Sequence, residues 1–359
     1  MSIVLGVVFL IIYVSFAYYI GYNLFVWLRE TFSFKRKKTV ILFAILLAAA
    51  YPIGVAISFV PLEVIGGYWL VVIGYGVLVF PLVNIIYFLR KRTGIKLLGY
   101  LAVSFYASIF IIGTLNAWSP VIKSYDITIQ KETERGNLKI LMASDFHLNN
   151  IIKNNHLQRF LQLSKEINPD IILLPGDIID NSVAPYLRHQ LGDIMKEIKA
   201  PMGVYATMGN HENYGRDIPI IIEEFKQAGI TVLEDEARLI NDEFYLVGRK
   251  DFQDSDRVSL QQLTKDIDKE KPIFMLDHQP VELDIAVQNG IDLMVSGHTH
   301  RGQLYPGHLI TERIYENAYG HLHKNGMHSI VSSGFGLWGP PLRIGSRAEV
   351  VVINVHFEE

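Results

Sequence analysis

The chain has 359 residues, half of them hydrophobic, and no cysteine. This excludes a disordered protein and any disulfide or thiolate chemistry. A division near residue 118 also excludes a single water-soluble globule: residues 1–118 carry 9 basic and 2 acidic side chains, and the rest carries 24 basic, 34 acidic and all 12 histidines.

Four stretches of the first part hold no charge: 2–28, 39–62, 64–89 and 97–122, of 27, 24, 26 and 26 residues. About 20 helical residues cross the hydrocarbon core, so each is long enough to span. Pro52 and Pro81 fall inside two of them, which spanning helices tolerate. The first is expected to be a retained span, because its leader has no basic residue and its apolar run has no A-x-A site. The spans also hold no Asp, Glu, Lys, Arg or His, which favours an anchor over a transporter. The loop at 29–38 has five basic residues, that at 90–96 has four, and the loop around 61–67 has none. Basic loops stay cytoplasmic, so the N-terminus and everything after residue 122 are expected on the outer face. The expected division is a membrane unit over 1–122 and a water-soluble domain over 123–359.

In the second part a polar stretch, 131–136, reads as a hairpin or linker between 125–130 and the next strand. Apolar runs at 138–144, 170–175, 203–208, 272–276 and 292–296 then alternate with helical patterns near 155–167, 186–198, 218–228, 260–267 and 281–289. Such alternation predicts an α/β domain with right-handed crossovers. Further strands are expected within 231–247 and at 329–332 and 349–357, enough for two packed sheets.

A cluster of polar residues follows each of the five runs: Asp145-Phe146-His147, Gly176-Asp177, Gly209-Asn210-His211-Glu212, Asp277-His278 and Gly297-His298-Thr299-His300. Ligands bind at the carboxyl ends of strands in open α/β sheets, so the clusters should converge. Asp145, Asp177 and Asn210 offer oxygen; His147, His278, His298 and His300 offer imidazole nitrogen. Seven ligands exceed the need of one tetrahedral ion and suit two ions sharing a carboxylate. No G-x-S-x-G elbow supports a serine nucleophile.

This ordered set resembles the calcineurin-like metallophosphoesterase superfamily over nearly all of 123–359, and the 297–303 ending G-H-T-H-R-G-Q is similar to its membrane-associated bacterial branch. The resemblance implies a four-layer α/β/β/α sandwich, here behind four transmembrane helices, and a catalytic domain over 123–359. It implies hydrolysis of a phosphate ester, by in-line attack of a hydroxide bridging two divalent ions (Mn, Fe, Zn or Co). Asp145, His147, Asp177 and His300 would hold one ion; Asp177, Asn210, His278 and His298 the other. His211 would act at the leaving-group oxygen, oriented by Asp180.

Arg301 follows the last ligand where related chains carry glycine, and with Arg343 it is a candidate substrate residue. Glu212 is expected to serve local loop structure. His321 and His323 read as a surface loop, and 334–341 as a rim of the pocket, whose Phe335, Leu337 and Trp338 would either meet lipid or pack. The acidic second part disfavours a nucleic-acid partner. The expected protein is a multi-pass membrane phosphoesterase with an extracytoplasmic catalytic domain, acting on a lipid or cell-envelope phosphate ester. The alternatives are a small-nucleotide phosphodiesterase and a catalytically silent metal-bound binding or sensory domain.

Overall fold

The computed structural model describes residues 3–131 and 133–358; Met1 and Ser2 at the start of the first expected span, Glu132 in the polar stretch and Glu359 lie outside the described residues. The chain divides into two compact units: one holds the residues up to Thr114 with Gly339–Leu342, the other Leu115–Trp338 with the residues from Arg343 onward.

Four helices dominate the first part: α1 Ile3–Phe32, α2 Lys37–Ala56, α3 Val60–Leu89 and α4 Ile95–Trp118. All four are long and apolar enough to cross a membrane. Helix α2 stops short of the charge-free stretch that runs to residue 62, because Pro61 sits in the first turn of α3, where its fixed φ suits a helix start. Helix α4 ends at Trp118 rather than near 122, ahead of Pro120, which has no N–H to continue the ladder. Pro52 and Pro81 lie within α2 and α3. Ala17, Ile20, Ala48 and Ile73 form a small core. Leu42, Leu82 and Ile111 are more than half exposed, as apolar side chains facing lipid would be.

Among the described residues the second unit is built on twelve strands: β1 Val121–Ile129, β2 Asn137–Met142, β3 Ile171–Pro175, β4 Val204–Thr207, β5 Ile230–Val232, β6 Glu236–Ile240, β7 Phe244–Gly248, β8 Ile273–Leu276, β9 Leu293–Ser296, β10 Gly320–Lys324, β11 Met327–Val331 and β12 Glu349–Phe357. They form two six-stranded sheets, in the orders β1-β12-β2-β3-β4-β5 and β10-β11-β9-β8-β7-β6. Between them run α5 Asn154–Ile167, α6 Ala184–Arg188, α7 Leu191–Met195, α8 Asn210–Gly215, α9 Ile218–Gln227, α10 Leu260–Leu263, α11 Leu283–Gln288 and α12 His308–Ile314.

Three apolar cores define four layers. Side chains of both sheets, among them Ile140, Ile353, Leu246 and Val295, meet in the middle. Leu157, Phe160, Met195 and Phe225 cover the outer face of the first sheet. Leu260, Leu283 and Ala286 cover the second. Burying whole side chains of this size contributes ~1.5–3 kcal/mol each.

Three expectations are corrected. Of the two readings of 131–136, the linker stands and the hairpin does not, because β12 lies between β1 and β2, parallel to the first and antiparallel to the second. The helix expected near 186–198 is two short ones, broken where Gln190 takes φ 52°. His321 and His323 are not on a loop but in β10, paired with β11.

Candidate metal centre

The parallel neighbours β2, β3 and β4 of one sheet and β8 and β9 of the other send their carboxyl ends to a common place. There Asp145, His147 and His300 bring one ligand atom each within 4.8 Å of one another, and so do Asp177, His278 and His298. His147 Nε2 lies 3.0 Å from His300 Nε2, which is 3.5 Å from Asp145 Oδ1. In the second triad Asp177 Oδ2 lies 3.0 Å from His278 Nε2. His298 Nδ1 lies 3.3 Å from that nitrogen and 2.9 Å from Asn210 Oδ1. Asp177 Oδ2 is also 3.8 Å from His147 Nε2, so one carboxylate reaches both triads.

The backbone is bent to make this possible. Asp145, His147, Asp177, His298 and His300 all take left-handed φ values of 47–70°. For residues other than glycine that costs of order 1–3 kcal/mol each, and such strain gathers where function demands it. Space is equally tight: a Cβ on Gly209 would run into the carboxylate of Asp177, and one on Gly297 into that of Asp145.

A second set of groups holds the first. The buried Glu212 carboxylate accepts from the backbone N–H of Asp177 at 3.1 Å and of Ile179 and Gly209 at 2.8 Å, which ties the loop after β3 to the start of α8. The His298 N–H donates to both oxygens of Asp145, at 2.9 and 3.1 Å. His278 Nδ1 lies 2.9 Å from the carbonyl oxygen of Pro175; it must donate there, so Nε2 is the nitrogen turned toward Asp177. Asp277 is not part of the cluster: it is buried against Arg257 and Arg249.

Burial, then the neighbouring His278, pulls His298 down to about 3. Burial, then His147, holds His300 well below its usual value. Both rings are therefore neutral and offer lone pairs. Burial opposes the charged form of His278, but the Asp177 carboxylate beside it outweighs that and pushes it well above the usual range. Burial, then the Asp177 charge, raises Glu212 to about 7.

These residues fit divalent cations. Imidazole nitrogens with carboxylate and amide oxygens make a mixed N/O donor set suited to such ions. The 3.0 Å between His147 Nε2 and His300 Nε2 is what two nitrogens each ~2.1 Å from one ion would show.

His211 belongs to a third such group, with His147 and Asp177, its ring centroid 4.6 Å from that of His147. Its Nδ1 is 2.9 Å from Asp180 Oδ1. Asp180 also accepts from Asn149 Nδ2 at 3.0 Å. Burial raises Asp180, but the neighbouring His147, 3.7 Å away, and the hydrogen-bonded His211 outweigh it and hold the carboxyl below its usual range.

The expected substrate residues are placed differently. Arg343 is fully buried. Its guanidinium donates to the carbonyls of Ser333, Gly334 and Gly336, and lies 3.2 Å from His300 Nδ1. It sits behind a site residue and has no access to substrate, which corrects the expectation. Arg301 lies over the Tyr319 ring at 4.5 Å and lines a cavity of about 480 Å³ with Lys123 and Arg347. Phe335 and Leu337 are buried, whereas Trp338 is exposed.

Sequence reasoning gave no role to Gln303, whose side-chain amide bonds both backbone groups of Trp338. Its only signal was its place in the 297–303 motif.

Residues 138–302 match the calcineurin-like phosphoesterase family. An uncharacterized metallophosphoesterase of Aquifex aeolicus is 30% identical over 260 residues, covering 68% of this chain and 98% of that protein. A transmembrane protein with metallophosphoesterase domain from Danio rerio is 28% identical, covering 70% of this chain and 61% of that one. An uncharacterized metallophosphoesterase of Helicobacter pylori is 27% identical, covering 75% and 70%.

Proposed function

The chain belongs to the calcineurin-like phosphoesterase family, and from that premise we propose a membrane-anchored phosphoesterase that uses two divalent ions on a lipid or cell-envelope phosphate ester. The observation that carries the reading is Asp177, whose carboxylate lies within reach of both triads. Asp145, His147, Asp177 and His300 hold one ion; Asp177, Asn210, His278 and His298 hold the other. Bound there, the ions would supply an activated water and neutralise the phosphoryl charge.

The protein's own groups do the rest. With Nδ1 committed to Asp180, His211 keeps Nε2 for the substrate, where it donates a proton to the departing oxygen. Glu212 and the His298 N–H fix the carboxylates before substrate arrives, so that little rearrangement accompanies the reaction. Arg301, with Lys123 and Arg347 around one cavity, offers positive charge to a second anionic group of the substrate.

Residues 1–122 are the anchor and 123–359 the catalytic domain. Nine basic residues in the two loops at 29–38 and 90–96 support a domain facing outward. Activity would then meet outer-leaflet lipids or wall polymers. The test is metal content of the purified full-length protein, with release of phosphate followed from phospholipid-like esters and from nucleotides under Mn, Fe, Zn and Co. Two ions per chain with turnover of the lipid-like esters support the reading. Turnover confined to nucleotides, or none under any metal, overturns it.

A further inference from the structure

Two exposed aromatic rings stand near His211. Tyr214, in α8, has its ring centroid 5.5 Å from the imidazole, and Trp338 has its own 6.4 Å away. Tyr214 is 55% exposed and Trp338 56%. Exposed tryptophan is uncommon, because the indole presents a large apolar surface to water.

Neither ring is on a loose segment. Gln303 clasps the Trp338 backbone from both sides: its Nε2 donates to the Trp338 carbonyl at 2.7 Å and its Oε1 accepts the Trp338 N–H at 3.0 Å. Gln303 itself is buried and lies three residues after His300. The Tyr214 hydroxyl donates to Gln253 Oε1 at 3.1 Å. The same short segment that supplies a metal-site histidine therefore also positions an exposed indole beside the proton donor. Rings held in place but left uncovered are pre-organised for a ligand that covers them.

We propose that Tyr214 and Trp338 form a leaving-group subsite that takes an apolar alcohol, so that the substrate class is a phosphate ester whose leaving alcohol carries hydrocarbon. This deepens the phosphoesterase reading and rests on its placement of His211 at the departing oxygen. A group bonded to that oxygen comes into the neighbourhood of both rings, each of which stands near the His211 imidazole. Transfer of hydrocarbon from water contributes a factor of roughly four per methylene that reaches them.

The test uses the full-length, metal-loaded protein in nanodiscs with methyl, butyl and octyl phosphate, whose leaving alcohols are of similar acidity, and follows phosphate release. In the wild type kcat/KM rises at least tenfold from methyl to octyl. Trp338→Ala and Tyr214→Ala flatten that rise, lowering octyl phosphate turnover by a much larger factor than methyl phosphate turnover, and Trp338→Phe restores most of it. Binding of methyl and octyl phosphonate, read by calorimetry, gives the same comparison without turnover. Octyl phosphonate binds the wild type at least tenfold tighter, and the alanine variants lose that margin. Tighter octyl binding that vanishes in the variants, in a protein that hydrolyses no ester, keeps the subsite and removes the hydrolase reading. Equal treatment of methyl and octyl by the wild type, or an equal loss for both in the variants, overturns the subsite.

Discussion

The four apolar helices and the candidate metal centre are written into the sequence in opposite ways. A span is a statement about averages: any of the roughly 20 apolar residues that cross a bilayer can be exchanged for another. The metal centre is a statement about points. A handful of residues between Asp145 and His300 sit at fixed places after five strands, and their loops take backbone conformations most residues avoid. The difference teaches that one region tolerates substitution in proportion to composition, and the other hardly at all.

The sharpest way to break that contrast is at Asp177. Replacing it with Asn should remove both metals and all turnover together, since the carboxylate serves both triads. Metal content and activity measured on one preparation check this; two retained ions with near-normal turnover would remove the shared-carboxylate assignment. His211→Ala should separate ligand from acid: both metals stay, and kcat falls by ~10²–10⁴. The loss should shrink for nitrophenyl esters, whose leaving group needs little protonation. Metal loss in this variant would make His211 a ligand.

Stability gives the next contrast. Phe160 is fully buried against the first sheet, and Phe160→Ala should cost ~3–5 kcal/mol in chemical unfolding. Leu82, 61% exposed in α3, should tolerate Leu82→Ala within ~0.5 kcal/mol. Comparable costs would mean that the helix faces protein rather than lipid. The last test leaves function untouched. Protease added to cells with an opened envelope and an intact inner membrane should digest residues beyond about 123 and spare Lys35–Lys38; the reverse pattern would invert the orientation and revive a cytosolic nucleotide substrate.

The residues of the candidate metal centre were legible because each sits directly after an apolar run, a local signal. What stayed hidden depends on distant partners. Nothing in G-H-L-H-K marks 320–324 as a strand until β11 pairs with it. The place of β12 between β1 and β2 joins chain ends more than 200 residues apart. Arg343 looked like a substrate residue because it lies just beyond the 334–341 rim; its burial against Ser333, Gly334, Gly336 and His300 is a tertiary fact. Gln303 shows the same limit, since its meaning lies in Trp338, which is 35 residues away.

The central claim is a pair of ions sharing Asp177. Anomalous scattering from crystals of the full-length protein grown with manganese tests it most directly. The account predicts two peaks ~3.5–4 Å apart, one on each side of the Asp177 carboxylate. A single peak, or a pair that leaves Asp177 bound to only one ion, would contradict it.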